Sequence, residues 1–267
     1  MPKPRNTNPA YRFAAGIIRP TLQAVTKRDW TGHEHIPKTG GFLLCPNHNS
    51  YVDVFAVAHF AYDSGRAPYF LGKESVFRIP VAGKIVGAAG MIPVFRESGQ
   101  AAEAFKAAVQ AIEDGKQIVI YPEGTLTRDP DLWPMTGKSG AARIALQTKC
   151  PVIPLAQWGP HEIIGRYDKK VRLFPRKTMH LRAGPPVDLS DLYDVPLTSA
   201  VLREATDRIM DAITRELEVL RGDTAPAERF DSRTKGVPRI GKYDPGSHAS
   251  TTSDTPSSET TKGKEQQ

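Results

Sequence analysis

Gly41-Phe42-Leu43-Leu44-Cys45-Pro46-Asn47-His48-Asn49-Ser50-Tyr51-Val52-Asp53 is the stretch from which the rest of the chain can be read. Its apolar run is too short for a helix and is closed by a proline, which predicts a short strand buried on both faces. His48 then falls on a loop, and Ser50 is placed to cap a helix that carries Asp53 in its first turns. A carboxylate five positions after an imidazole can reach back to one ring nitrogen and fix the tautomer. The other nitrogen is left to take a proton from a hydroxyl. A purely structural hydrogen bond would look the same at this spacing. Cys45 lies three residues before His48, but its place inside the apolar run reads as a packed core thiol rather than a nucleophile.

Downstream the chain alternates strand-like and helix-like stretches. Ser98 is placed to cap a helix from Gly99 to Asp114 with Ala102, Phe105, Val109 and Ile112 on one face and Gly115 as its stop. Gln117 to Tyr121 is a continuous β-branched run of the doubly covered kind. Lys138 to Lys149 reads as a helix, Val152 to Ala156 as a strand, and Ser199 to Arg221 as a last helix with Leu202, Ile209, Ile213, Leu217 and Leu220 on one stripe. The pattern predicts a single α/β domain over residues 31–222, with a mixed, largely parallel sheet flanked by helices and the chemistry on loops at strand ends.

The flanks differ in composition. Residues 1–30 carry six basic residues and no acidic one before Asp29, interleaved with Tyr11, Phe13, Ile17, Ile18, Leu22, Val25 and Trp30. The longest uncharged apolar run, Phe13 to Ile18, is too short for a signal-peptide core or a membrane span. A basic amphipathic segment lying in the headgroup region, broken by Pro20 into two short helices, is the expectation. From residue 223 onward the apolar residues thin out, and residues 223–267 read as a disordered polar tail.

The chain has 267 residues, 39% of them hydrophobic, and a net charge of +7. Basic and acidic residues balance from Asp223 onward, so the whole excess sits on residues 1–222. That favours anionic partners. No nucleic-acid module is visible, and nucleic acid is not expected as a partner. The two separated cysteines, Cys45 and Cys150, suit a reducing compartment.

Four blocks in order make the chain resemble the glycerolipid acyltransferase family: Asn47 to Asp53, Gly90-Met91-Ile92-Pro93-Val94-Phe95-Arg96, Tyr121-Pro122-Glu123-Gly124-Thr125, and Val152-Ile153-Pro154-Leu155. Gly72-Lys73-Glu74-Ser75-Val76-Phe77-Arg78-Ile79-Pro80, between the first two, is also typical of it. The likeness covers roughly residues 30 to 222, and the ordered set is far more specific than any one block. It implies transfer of a fatty acyl group from acyl-CoA or acyl carrier protein to a hydroxyl of 1-acylglycerol 3-phosphate, giving phosphatidic acid. Acylation of glycerol 3-phosphate or of another lysophospholipid would use the same chemistry. His48 is then the general base and Asp53 its orienter, and neither a metal nor an organic cofactor is needed, because the thioester already stores the activation energy. The resemblance also carries Arg96, Glu123 and Gly124 over as binders of the acceptor's glycerol phosphate. The residues agree: a guanidinium at a strand end can grip phosphate bidentately, and the Gly124 N–H, if exposed, can donate to a phosphate oxygen.

Lys73 and Lys138 are expected to add phosphate contacts, Lys138 at the opening of a helix whose dipole favours anions. Solvated surface charge is the competing reading for both. The expected location is peripheral, on the cytoplasmic face of the cell membrane, where an anionic leaflet holds both lipid substrates. Three near-motifs fail. Gly137-Lys138-Ser139 has Leu132 where a phosphate-binding loop needs its first glycine, no serine elbow is formed, and His33 and His35 lack a third metal ligand.

Overall fold

A computed structural model of the chain describes residues 7, 9–73, 91–94, 100–168 and 170–236. The deciding apolar run forms β2 (Phe42–Pro46), and every one of its residues is buried. Phe42 and Leu44 enter one apolar cluster while Leu43 and Cys45 enter another, so the two faces of the strand feed two cores. This period-2 split is why the run has no polar face in sequence.

Around it lie β1 (Thr26–Thr31), β3 (Pro68–Lys73), β4 (Ile92–Val94), β5 (Gln117–Val119), β6 (Val152–Trp158) and β7 (Lys177–Ala183). Among the described residues these make one sheet of seven strands in the order β1-β7-β6-β2-β5-β3-β4. Five strands, β2 to β6, run parallel. The strand β7 runs antiparallel to β6, and β1 runs parallel to β7. The sheet is thus mixed and largely parallel, as expected.

Among the described residues the α-helices are α1 (Pro9–Val25), α2 (Asp53–Asp63), α3 (Gln100–Glu113), α4 (Gly140–Thr148), α5 (Pro160–Ile163) and α6 (Ser199–Arg221). Buried residues of α3, α4 and α6 cover the Leu43 face, and Ala56, Val57, Phe60 and Ala61 of α2 cover the Phe42 face. Each fully buried Leu, Val or Phe contributes about 1.5–3 kcal/mol, so a two-faced sheet is where this chain gathers its stability. The helix α6 runs as the stripe predicts, capped by the Thr198 hydroxyl at its start and by left-handed Gly222 at its end.

Several expectations need correcting. Pro20 does not divide the N-terminal segment; α1 is one helix with the proline inside it. The ring removes only one backbone donor and sits on the exposed face, where water can take the orphaned carbonyl. The segment also gives way to sheet before residue 31, because β1 pairs with β7 from Thr26 onward. Ser50 is not the cap of α2; Val52 precedes the helix and makes no side-chain cap. On α3, Ala102 is exposed, and Ala104, Ala108 and Ala111 take its expected place inside. The helix expected from Lys138 begins at Gly140. Part of the supposed tail packs: Thr136 N–H donates to the Phe230 carbonyl at 3.0 Å, and Arg229 pairs with Asp207 and Asp211 of α6. The cap expected at Ser98 and the stretch 237–267 lie outside the described residues.

Candidate active site

The parallel strands β2, β5 and β6 end on one edge of the sheet, which is where helix-bearing loops of α/β sheets form sites. Asn47, the first residue past β2, extends the pairing with β6 through its side chain. Its Nδ2 donates to the Gln157 carbonyl at 3.1 Å, and its Oδ1 accepts from Gln157 N–H at 2.8 Å. That clamp fixes where the chain leaves the sheet, and His48 follows immediately.

His48 is held on four sides. Its Nδ1 lies 3.0 Å from Asp53 Oδ2. Its N–H donates to Glu123 Oε1 at 2.9 Å, its carbonyl accepts from Thr127 N–H at 2.8 Å, and its ring stacks on Tyr121 with centroids 4.2 Å apart. Asp53 is the first residue of α2 and is fully buried. The same Oδ2 also accepts the N–H groups of Asn49 and Ser50, at 2.6 and 2.9 Å. Two backbone N–H groups already donate to that oxygen, so it meets His48 Nδ1 as an acceptor too; Nδ1 carries the ring proton and Nε2 keeps its lone pair. The imidazole side chain is 18% exposed, enough for one edge to meet a ligand. The imidazole–carboxylate contact that the sequence spacing suggests is therefore formed.

Glu123 is built differently from its expected role as a substrate ligand. It is wholly buried, with Oε1 on His48 N–H and Oε2 on Met135 N–H at 3.1 Å. Burial pushes its carboxyl up to about 8, outweighing the amide hydrogen bonds that pull it down. It presents no exposed oxygen to a ligand and instead ties the β5–α4 loop to the His48 loop. The Gly124 N–H is not an exposed donor either, because it donates to the Tyr121 carbonyl at 3.0 Å. Gly124 holds a left-handed φ of 69°, and a Cβ there would sit 2.8 Å from Lys138 Nζ and 2.9 Å from its Cδ. The glycine is therefore needed for the turn and for the passage of Lys138, whose side chain lies against it. The Lys138 N–H in turn donates to the Pro122 carbonyl at 2.8 Å, closing the loop on itself.

Thus His48, Asp53, Glu123, Gly124 and Lys138 come together at one sheet edge. Lys73 ends β3 on the same edge, two strands from β2. Arg96 lies outside the described residues, and β4 ends two residues before it.

Two further residues join the site without a signal in the sequence reading. Arg166 Nη1 donates to the carbonyls of Thr127 and Asp129, bracing the loop that holds His48. His161, on α5 just past β6, has its ring 4.2 Å from Trp158, and burial lowers its pKa. Neither stands near His48 in sequence; only the β6–β2 pairing brings their loop alongside.

The cysteines take no part. Both are buried, and burial pushes the Cys45 thiol far up, leaving it protonated and inert. His33 Nδ1 bonds to Ser64 Oγ at 2.7 Å. Among the described residues no helix is long and apolar enough to cross a membrane.

Residues 27–158 match the family model described as Acyltransferase. A 1-acyl-sn-glycerol-3-phosphate acyltransferase of Bacillus subtilis is 25% identical over 215 residues, covering 79% of this chain and 100% of that protein. A chloroplastic 1-acyl-sn-glycerol-3-phosphate acyltransferase of Brassica napus is 29% identical over 140 residues, covering 52% of this chain and 39% of its own length. The crystal structure of the 1-acyl-sn-glycerophosphate (LPA) acyltransferase PlsC of Thermotoga maritima superposes with a TM-score of 0.60 at 20% identity, covering 81% of each chain.

Proposed function

The chain belongs to the acyltransferase family and is an O-acyltransferase, and on that footing we propose that it acylates 1-acylglycerol 3-phosphate to phosphatidic acid. The observation that carries the mechanism is the Nδ1–Asp53 contact of 3.0 Å, which commits the imidazole to the tautomer with a free Nε2. The acceptor hydroxyl gives its proton to Nε2 as its oxygen attacks the thioester carbonyl carbon of acyl-CoA or acyl carrier protein. Asp53 supports the imidazolium so formed. The tetrahedral intermediate collapses with cleavage of the C–S bond, and the imidazolium returns the proton to the departing thiolate. The acyl group is never attached to the protein.

Glu123 and Thr127 act on this step through the His48 backbone, which they hold at both its N–H and its carbonyl. The acceptor's phosphate is assigned to Lys138, Lys73 and Arg96. A guanidinium can grip phosphate bidentately and a lysine can add a point charge to the same anion. The enzyme works peripherally at the anionic cytoplasmic leaflet, with α1 lying against it.

The test is purified protein with labelled acyl-CoA and a panel of acceptors: 1-acylglycerol 3-phosphate, glycerol 3-phosphate and lysophosphatidylcholine, with products resolved by mass spectrometry. Phosphatidic acid as the dominant product supports the assignment. Preferential use of glycerol 3-phosphate would move the acceptor, and free fatty acid alone would point to a hydrolase.

A further inference from the structure

We propose that the segment 164–176, between α5 and β7, is a membrane-docking loop that inserts Val171, Leu173 and Phe174 into an anionic bilayer and turns the His48 edge toward it. Four apolar side chains in eight residues are left in solvent here: Tyr167 is 39% exposed, Val171 58%, Leu173 37% and Phe174 75%. Single exposed apolar residues are ordinary, but such a cluster marks an interaction surface. The same segment carries five basic residues, Arg166, Lys169, Lys170, Arg172 and Arg176, against one acidic residue, Asp168. Apolar tips among basic side chains are the composition of a surface that lies in a lipid headgroup layer.

Topology places this loop where docking would serve catalysis. The strand β7 is antiparallel to β6, so the loop entering it at Lys177 lies at the edge where β6, β2 and β5 end. Thr26 pairs with Lys177, so α1 enters the sheet at that same edge. Arg176 joins the two segments, donating to the carbonyls of Gln23 at 2.7 Å and Thr26 at 2.6 Å. On α1 itself Phe13 is 69% and Ile17 54% exposed, and beside the site Tyr51 is 64% exposed. An acidic carrier protein would be drawn by the same charges but would leave three aliphatic and aromatic tips without an apolar partner, so a bilayer is the better fit. The loop's role in catalysis rests on the lipid-acceptor reading; its binding to lipid does not.

The experiment compares the full chain with the triple variant Val171→Ser, Leu173→Ser, Phe174→Ser. Sedimentation is measured with phosphatidylcholine vesicles, with and without phosphatidylglycerol. The wild-type chain should partition to the anionic vesicles, and the triple variant should do so at least about tenfold less, because it keeps the basic charges but loses the apolar insertion. Phe174→Trp provides a second readout that tolerates any folding defect in the triple variant: its emission should shift to shorter wavelength on adding anionic vesicles. Unchanged sedimentation of the triple variant would overturn the proposal, and so would a shift caused by acyl carrier protein but not by vesicles. Turnover of a short-chain, water-soluble acceptor should be the same in both proteins. Its absence from the wild-type chain would sink the acyltransferase reading while leaving the vesicle result to judge the loop.

Discussion

At the scale of single residues, the site depends on Asp53 Oδ2 receiving three N–H donors, those of His48, Asn49 and Ser50. Asp53→Asn keeps the volume but can turn a donor toward His48 Nδ1, which moves the ring proton to Nε2 and removes the base. Turnover should fall by about 10²–10⁴-fold with little change in the Michaelis constant for acceptor. Activity equal to wild type would reduce Asp53 to a structural residue. Gly124→Ala should destabilise by more than about 1 kcal/mol, because the side chain meets a left-handed φ and the Lys138 stem together. Denaturant titration reads this directly, and an unchanged midpoint would show that the turn can relax. The His48–Asp53 pair was legible in sequence because its partners lie five positions apart. The Glu123 oxygens and the Gly124 N–H were not, because their partners are backbone groups of distant or folded-back segments, and nothing in a side-chain motif reveals those.

At the scale of elements, the loop between β5 and α4 is a brace for the loop after β2, and Glu123 is its keystone. Glu123→Gln puts an amide donor against either His48 N–H or Met135 N–H, at a cost of about 1–3 kcal/mol. The expected signature is a lower melting temperature and a lower kcat with the acceptor's Michaelis constant unmoved; a shift confined to that constant would instead restore Glu123 as a ligand to substrate. The pH dependence follows from burial. The unfolded carboxyl ionises near 4.5 while the folded one keeps its proton to about 8, so the folded state holds the extra proton between these values. This group therefore lowers stability as pH rises from about 4.5 to 8 and adds no further slope above. Melting temperatures across that window should fall less steeply for Glu123→Gln than for wild type, and parallel curves would contradict the assignment. The strands β2, β5 and β6 and the helix α6 were legible because long apolar runs and a 3.6-residue stripe survive in sequence. The remaining strands were less so. Only Thr26 of β1 is fully buried, β3 opens with Pro68 and carries Gly72, and β7 alternates over just Met179, Leu181 and Ala183.

At the scale of the whole molecule, the described parts of both flanking segments, residues 9–30 and 223–236, are tied to the body more closely than their composition suggests. Arg19 of α1 and Arg28 of β1 both reach Asp63 of α2, at 2.8 and 3.0 Å, and Asp63 is 1% exposed. A truncation that removes residues 1–28 would strip half of an edge strand and take both arginines from a buried carboxylate, so it should lower the melting temperature as well as any membrane binding. Removing residues 223–267 takes away the Arg229 pairs and the Phe230 carbonyl and should lower the melting temperature by about 2–4 °C for each kcal/mol lost. Removing only residues 237–267 should leave it unchanged, and equal effects of the two cuts would mean that 223–236 adds nothing. Two apolar cores around one largely parallel sheet hold the His48 imidazole at a strand end with its Nδ1 against Asp53. Whether that imidazole is the base is tested most directly by the turnover of His48→Ala at saturating acyl-CoA and 1-acylglycerol 3-phosphate. A loss of at least about 10²-fold with an unchanged melting temperature is expected; phosphatidic acid formed at near wild-type rate would rule His48 out as the base.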